Sequence, residues 1–478
     1  SESKFQVTFS KQFKIKKYQL ESKVNIDNLI INLKNKDLKK FIVDLDDRII
    51  LKNGKLDLSV SDSNNTEFNI KSKYIFNEKQ NPKNFSLNYS KLNSIETYNF
   101  DIDLTENDLI IDEINFIKKK NDQMFLSLNL LKSKNVYEIK NLKLFNDENL
   151  FNLNNIKLTK NFQIIDFSSI EAKYYNKDRF LNDFAIKKKN DYINVVSNKF
   201  DISKNVEKNL KSASKSKLLD IFQNLNSSVN IDIRLARLDN EHDLKNVYGD
   251  VLIKKNKVDK ANLFAKFDNV NKFTYTKDEL NGKKVVTIYS DIAKPFVKKF
   301  KFIKGFEGGK LDYSSTEFSS NLSKSELRIY DFKLQDMPAL TKLLSLASLQ
   351  GIADLATGEG IRFNEFDMFF DNSKDLIKIN EIYALGPAIS ILMEGYVEKN
   401  KLVSLRGTLV PATTINKTIA KIPLLGDILV GKKMGEGVFG VSFKIKGPPD
   451  ELQTRVNPIK TLTPRFITRT LDKIKKIN

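Results

Sequence analysis

The 478-residue chain has no cysteine, no tryptophan and a single histidine, His242. Without cysteine there is no disulfide, no thiol nucleophile and no Cys-based zinc or iron–sulfur site. A catalytic triad or a histidine-built metal site would rest on His242 alone. That residue lies in the polar run Asn240-Glu-His-Asp243 and reads as a solvated loop histidine. Arginine is scarce, ten of the 80 basic residues, so bidentate readout of phosphates or base edges has few carriers. No stretch approaches 18 uninterrupted apolar residues, and no signal peptide is visible. The expectation is a protein that is not an enzyme, with no cofactor, no metal and no nucleic-acid partner.

Apolar residues make up 40% of the chain and charged residues 29%, too apolar for disorder and enough for a large core. The formal charge is +20 and is carried mostly by lysine. Lys, Asn, Ile and Phe share A/T-rich codons, so genome bias is one source of this charge; a functional surface for anionic lipids or nucleic acid is the other. Glycine and proline mark a break. Only six of 18 Gly precede residue 350, and eight of ten Pro lie at or after Pro338.

The first part alternates with period two. Tyr98, Phe100, Ile102 and Leu104 are separated by polar residues; Met124, Leu126, Leu128 and Leu130 repeat this, as do Val229, Ile231, Ile233 and Leu235. Such alternation predicts strands with one apolar face, joined by turns such as Ser61–Asn65, in an antiparallel meander. Roughly 330 residues at about 11 per strand and turn give about 30 strands. The fold class is mainly β, a long antiparallel sheet with a few helices. Its apolar face must close as a barrel or sandwich, fill as a solenoid, or curl into a trough, and alternation does not choose between them.

Helical spacing appears at 206–224 and at 292–303, the latter stopped by Gly305. A third helix is expected near 337–350, after Asp336 and Pro338. A fourth, near 414–430, carries Ile415, Ile419, Ile422, Leu425 and Ile428 and is broken at Pro423. The tail 463–478, opened by Thr463-Pro464, places Phe466, Ile467, Leu471 and Ile474 against Arg465, Arg469 and Lys473. That is the layout of a helix in an anionic membrane interface, or of one packed on the β body. The predicted organisation is a repetitive β region 1–330, a C-terminal region 331–462 and the basic tail. The end segments read as a cap or a membrane contact.

Two decoys fail. Gly426-Asp-Ile-Leu-Val-Gly431-Lys432 lacks the Ser or Thr of a phosphate-binding loop and follows a helix rather than a strand. Lys118-Lys-Lys120 reads as a solvated charge run. No carboxylate pair can be chosen among 60 acids.

A more specific signal is the order Gly407-Thr-Leu-Val-Pro411, Ile422-Pro-Leu-Leu-Gly-Asp-Ile-Leu429, Gly435-Glu-Gly-Val-Phe-Gly440, Lys446-Gly-Pro-Pro-Asp450, Val456-Asn-Pro458 and Leu462-Thr-Pro464. It resembles the AsmA-like C-terminal region of the YhdP branch, over about residues 285–466, although the family is commonly richer in Arg and Gly there. The resemblance implies a bridge-like lipid transporter of the Gram-negative envelope. The sheet would be a curled, β-taco-type groove in the periplasm. An inner-membrane anchor would lie in an N-terminal segment absent from this chain, which opens with Ser1. Phospholipids, the inner and outer membranes and other envelope proteins would be partners. The implied role is phospholipid movement between the two membranes, supporting outer-membrane integrity. The groove would be lined by Tyr98, Phe100, Ile102, Leu104, Met124, Leu126, Leu128, Val229, Ile231, Ile233 and Leu235. A filled envelope scaffold and a carbohydrate-active solenoid are the rival readings.

Overall fold

The computed structural model describes residues 1–478 except 33–35, 44, 62–64, 79, 205–216, 298–304, 320, 336–359, 400, 412–439, 450 and 460–478. The fold is mainly β, 72% strand and 4% helix. Among the described residues 26 of 28 strands take part in one long, mostly antiparallel sheet. Contacts divide the chain into two compact units.

Unit 1 comprises Ser1–Asn205, Ser216–Arg237 and Lys245–Asp259. Its strands are β1 (Glu2–Phe9), β2 (Ile15–Asn32), β3 (Arg48–Ser61), β4 (Asn65–Ile75), β5 (Lys83–Leu92), β6 (Ile95–Asp103), β7 (Leu109–Ile111), β8 (Phe116–Lys118) and β9 (Phe125–Lys132). They continue as β10 (Val136–Phe145), β11 (Leu150–Thr159), β12 (Ile164–Asp166), β13 (Ser169–Tyr175), β14 (Leu181–Lys189), β15 (Tyr192–Asp201), β16 (Ser227–Arg237) and β17 (Asp243–Lys254). Strands β7 and β8 form a separate hairpin. The others form an antiparallel meander, in which β9 pairs with β6 and both β12 and β13 pair with β11, until β15 and β16 pair in parallel.

Register explains why the alternating sequence works. Directly paired residues point to the same face. Leu56, Ile70, Leu87, Phe100, Leu128, Leu142, Leu153, Ile170, Ile186, Val195 and Ile231 therefore form one unbroken apolar row from β3 to β16. On the opposite face Asn69, Asn88, Asn99, Asn129, Asn141 and Asn154 fall in one row of their own. Asn129 Nδ2 donates to Asn99 Oδ1 at 2.8 Å, and Asn141 Nδ2 to Asn154 Oδ1 at 2.8 Å. The abundant asparagine thus has a structural use. It bonds across strands and fixes register where apolar contact cannot.

Two kinds of connection leave these strands. At one end, the turn rim, they are short: Asn93–Ser94, Ser133–Asn135 and Lys160–Gln163. At the other, the insertion rim, the long segments 33–47 and 104–124 emerge, and the crossover from β15 to β16 begins there. The helix expected over 206–224 lies partly in residues outside the described ones. Its described part is a 3-10 turn, Lys217–Ile221, because Leu219 and Phe222 pack down on the sheet rather than along a helical stripe.

Unit 2 holds Val206–Lys215, Leu238–Leu244 and Lys260–Asn478. Its strands are β18 (Lys257–Lys266), β19 (Lys272–Leu280), β20 (Lys283–Ser290), β21 (Phe306–Ser319), β22 (Leu322–Leu334), β23 (Ile361–Ser373), β24 (Leu376–Leu385), β25 (Ile389–Glu398), β26 (Leu402–Pro411), β27 (Gly440–Gly447) and β28 (Gln453–Ile459). All the pairings from β18 to β28 are antiparallel. Of the segment expected as helix 292–303, Lys294–Val297 is α-helical and 298–304 lie outside the described residues. Phe296 stacks on Phe273 at 5.5 Å, and Phe306, Phe332 and Phe363 stack in turn at 5.2 and 5.3 Å. Gly407 stands where two strands and Phe443 converge; a Cβ there would lie 2.3 Å from the Leu392 carbonyl. The expected helices at 337–350, 414–430 and 463–478 lie outside the described residues, with Ile415, Ile419, Ile422, Leu425, Ile428, Phe466, Ile467, Leu471 and Ile474.

Candidate functional site: the apolar face of unit 1

The apolar face of unit 1 is not uniform. Next to the Phe100 row on the insertion-rim side runs Phe85, Ile102, Leu126, Leu144, Phe151 and Ala172. The insertion 104–124 folds over this side. Leu104, Leu109, Phe116 and Met124 join Tyr74, Phe85, Ile102, Phe151 and Tyr174 in one buried cluster. Phe116 meets Phe151 edge-on at 4.9 Å and Tyr174 at 5.8 Å.

Polar anchors hold the insertion down. Lys118 is buried, and its Nζ donates to the carbonyls of Leu104, Thr105 and Asn107 at 2.7, 2.7 and 2.8 Å. Burial pushes its pKa down to about 8, while the three acceptors use every ammonium proton. The first residue of the supposed solvated charge run is therefore an internal tether; Lys119 and Lys120 are exposed. Tyr74 Oη donates to the Asp103 carbonyl at 2.6 Å and to Asn107 Oδ1 at 3.1 Å, and Tyr174 Oη to the Ile114 carbonyl at 3.0 Å. Burial raises the pKa of both tyrosines.

A second cover lies on β11 to β17. The returning crossover brings Leu219, Phe222 and Leu225 against Ile156, Phe167, Ile193, Val229 and Ile253. Backbone amides of the crossover are satisfied locally: Gln223 donates to the Ile164 carbonyl at 2.9 Å.

Between these covers one part of the face stays open. Leu58, Phe68, Tyr89, Tyr98 and Leu130 are paired in register across β3, β4, β5, β6 and β9, are half-buried, and belong to neither cluster. Phe68 stacks on Tyr89 at 4.7 Å, and Tyr89 meets Tyr98 edge-on at 5.1 Å. The next row toward the turn rim is Lys91, Glu96, Lys132 and Tyr137. Tyr98 Oη donates to Glu96, and Lys132 Nζ reaches the same carboxylate at 3.1 Å. The Tyr98 bond, supported by Lys132, holds the Glu96 carboxyl below its usual range against the opposing effect of desolvation. Desolvation, then the Glu96 bond, raises the Tyr98 pKa.

The residues expected to line a groove therefore separate. Tyr98 and Leu128 face the open part; Phe100, Leu126 and Ile231 are half-buried at the fringes of the covers, and Leu235 is half-buried. Ile102, Leu104 and Met124 are a correction: at 5%, 4% and 0% exposure they are core beneath the insertion. Val229 and Ile233 are buried as well. Phe68 and Tyr89 join the open face without having been singled out. Their alternation was legible, but the neighbouring Lys91 and Glu96 disguised it.

In unit 2 a row Tyr275, Ile288, Tyr313, Leu327, Met368 and Ile382 repeats the arrangement, half-buried except for Ile382. Among the described residues no helix is long and apolar enough to cross a membrane. Compared with protein-family models, curated proteins and solved structures, the chain matches none.

Proposed function

We propose that the chain carries phospholipid along its apolar sheet face, between the inner and outer membranes of a Gram-negative envelope, without doing covalent chemistry. The observation that supports this most is the open row Leu58, Phe68, Tyr89, Tyr98 and Leu130, half-exposed apolar side chains held in register over adjacent strands. An acyl chain in water costs about 0.8 kcal/mol per CH₂, and an apolar sheet face lowers that cost without a specific pocket. Many similar weak contacts suit a ligand that must slide. The membranes, the periplasmic location and other envelope partners come from the AsmA-like resemblance of the C-terminal motifs.

The rival reading is an envelope scaffold with a filled core. The two covered clusters favour it for their own stretches of the face. The test is a photo-crosslinking residue at Leu130 and, separately, at Met124, followed by mass spectrometry of lipids captured in cells. Lipid adducts at Leu130 and none at Met124 are expected. No adduct at either position, together with lipid-free purified protein, would favour the scaffold.

A further inference from the structure

The polar face of unit 2, opposite its apolar row, treats its arginines in two different ways. Arg328 of β22 lies in register between Asp312 of β21 and Asp367 of β23. The same row continues through Tyr383, Leu392, Thr408 and Ser442. Its members alternate along each strand with the Tyr275-to-Ile382 row, so they point to the other side of the sheet. Here the arginine is met by acids: Nε stands 3.7 Å from Asp367 Oδ1, and Glu326 pairs with the guanidinium as well.

The next row of this face, on the last three strands, reverses the pattern. Arg406 of β26, Lys444 of β27 and Arg455 of β28 are paired directly in register, three cations side by side. Like charges directly opposite one another are destabilising. Strands β26, β27 and β28 contain no acid. The acid of this row is Glu394 of β25, whose Oε1 accepts from Arg406 Nε at 3.0 Å and Nη2 at 2.8 Å. Three cations less one acid leave two positive charges on the row. Lys444 and Arg455 are exposed and take part in no ion pair among the described residues.

These side chains share a cleft. The charged row and the Leu392–Thr408–Ser442 row bound a concavity of about 570 Å³, with Gly407 and Phe443 between them. That volume is in the range of small-molecule sites. Two hydroxyls line it, one of them on Thr408, which is 9% exposed. Two of the chain's ten arginines meet here.

We propose that this cleft binds a phosphate monoester, its phosphate held between Lys444, Arg455 and the Nη1 side of Arg406. Guanidinium forks match phosphate oxygens in pairs, and lysine adds a point charge. A monoester carries about −1.5 to −2 near pH 7, which balances the row. Glu394 positions Arg406 by occupying its other edge. The site is on the face opposite the apolar row and does not depend on the lipid reading.

The experiment is titration calorimetry on the full chain with glucose 6-phosphate, and flotation with vesicles carrying phosphatidic acid, so that a soluble ester and a lipid head are told apart. Binding of either is expected, weakening as salt rises. Changing Lys444 and Arg455 together to Gln should reduce that binding about tenfold or more, with an unchanged circular dichroism spectrum. Binding of neither probe, or equal binding by the variant, would overturn the site. Glucose 6-sulfate, a monoanion of the same shape, should bind more weakly; equal affinity would overturn the phosphate class. Displacement of glucose 6-phosphate by an oligoglutamate peptide at lower concentration than by inorganic phosphate would assign the cleft to an acidic protein segment and overturn it too.

Discussion

Across β3 to β9 of unit 1 the row Leu58, Phe68, Tyr89, Tyr98 and Leu130, next to the charged row at the turn rim, is half-exposed; across β11 to β16 the corresponding Ile156, Ile193 and Val229 are buried. Both stretches have the same alternation, although β15 and β16 pair in parallel and β3 to β9 do not. The difference comes from chain that is not in the sheet plane. The crossover to β16 returns over one stretch and not over the other. Exposure of an apolar sheet face is thus set by where connections run, and a single face can be dry core in one place and a ligand surface in another.

The largest effect that tests this contrast is on stability. Met124→Ala should cost about 2–5 kcal/mol, because it empties a sealed site, whereas Leu130→Ala should cost about 1 kcal/mol or less. Urea unfolding followed by probes in unit 1 measures both. Equal losses would mean that the open row is packed as tightly as the covered one.

Lys118→Met tests what holds the cover. Three carbonyls lose their donor, and the expected cost is about 1–3 kcal/mol. Amide exchange should quicken across 104–124 while β14 and β15 keep their protection. Uniform quickening through unit 1 would show that the insertion is not a separable cover.

Leu130→Asp sharpens the comparison at the level of function. A half-exposed site tolerates the charge with about 1 kcal/mol of stability lost, yet lipid capture by a crosslinker at Tyr98 should fall sharply. Val229→Asp, in the covered stretch, should instead unfold the region. Retained capture in Leu130→Asp would remove the open row from the lipid path.

The smallest effect concerns pH. Glu96 is held below its usual value, so its contribution is present above the unfolded carboxyl pKa and is lost as pH falls through the lower folded value. Glu96→Gln should lower the melting temperature slightly at pH 7, by under about 1 kcal/mol equivalent, and the gap should close in acid. A gap that widens in acid would contradict the proposed Tyr98–Glu96–Lys132 arrangement.

Particular residues show how far the sequence could be read. Tyr98 to Leu104 and Val229 to Leu235 were legible as strands from alternation, and their shared face followed from register. Lys118 was not legible as a tether, because three carbonyls from a loop 11 to 14 residues away leave no mark in its neighbours. The asparagine row was hidden for a similar reason: its members come from six different strands.

The sequence by itself determined that this is a β protein with one apolar and one polar face, because side-chain direction in a strand has period two and is a local property. Tertiary structure alone decided which apolar positions are sealed. Burial depends on long-range packing: the 104–124 insertion lies over Phe151 and Tyr174, and the crossover lies over Ile156 and Val229. Such contacts join segments far apart in the chain, and no local spacing encodes them.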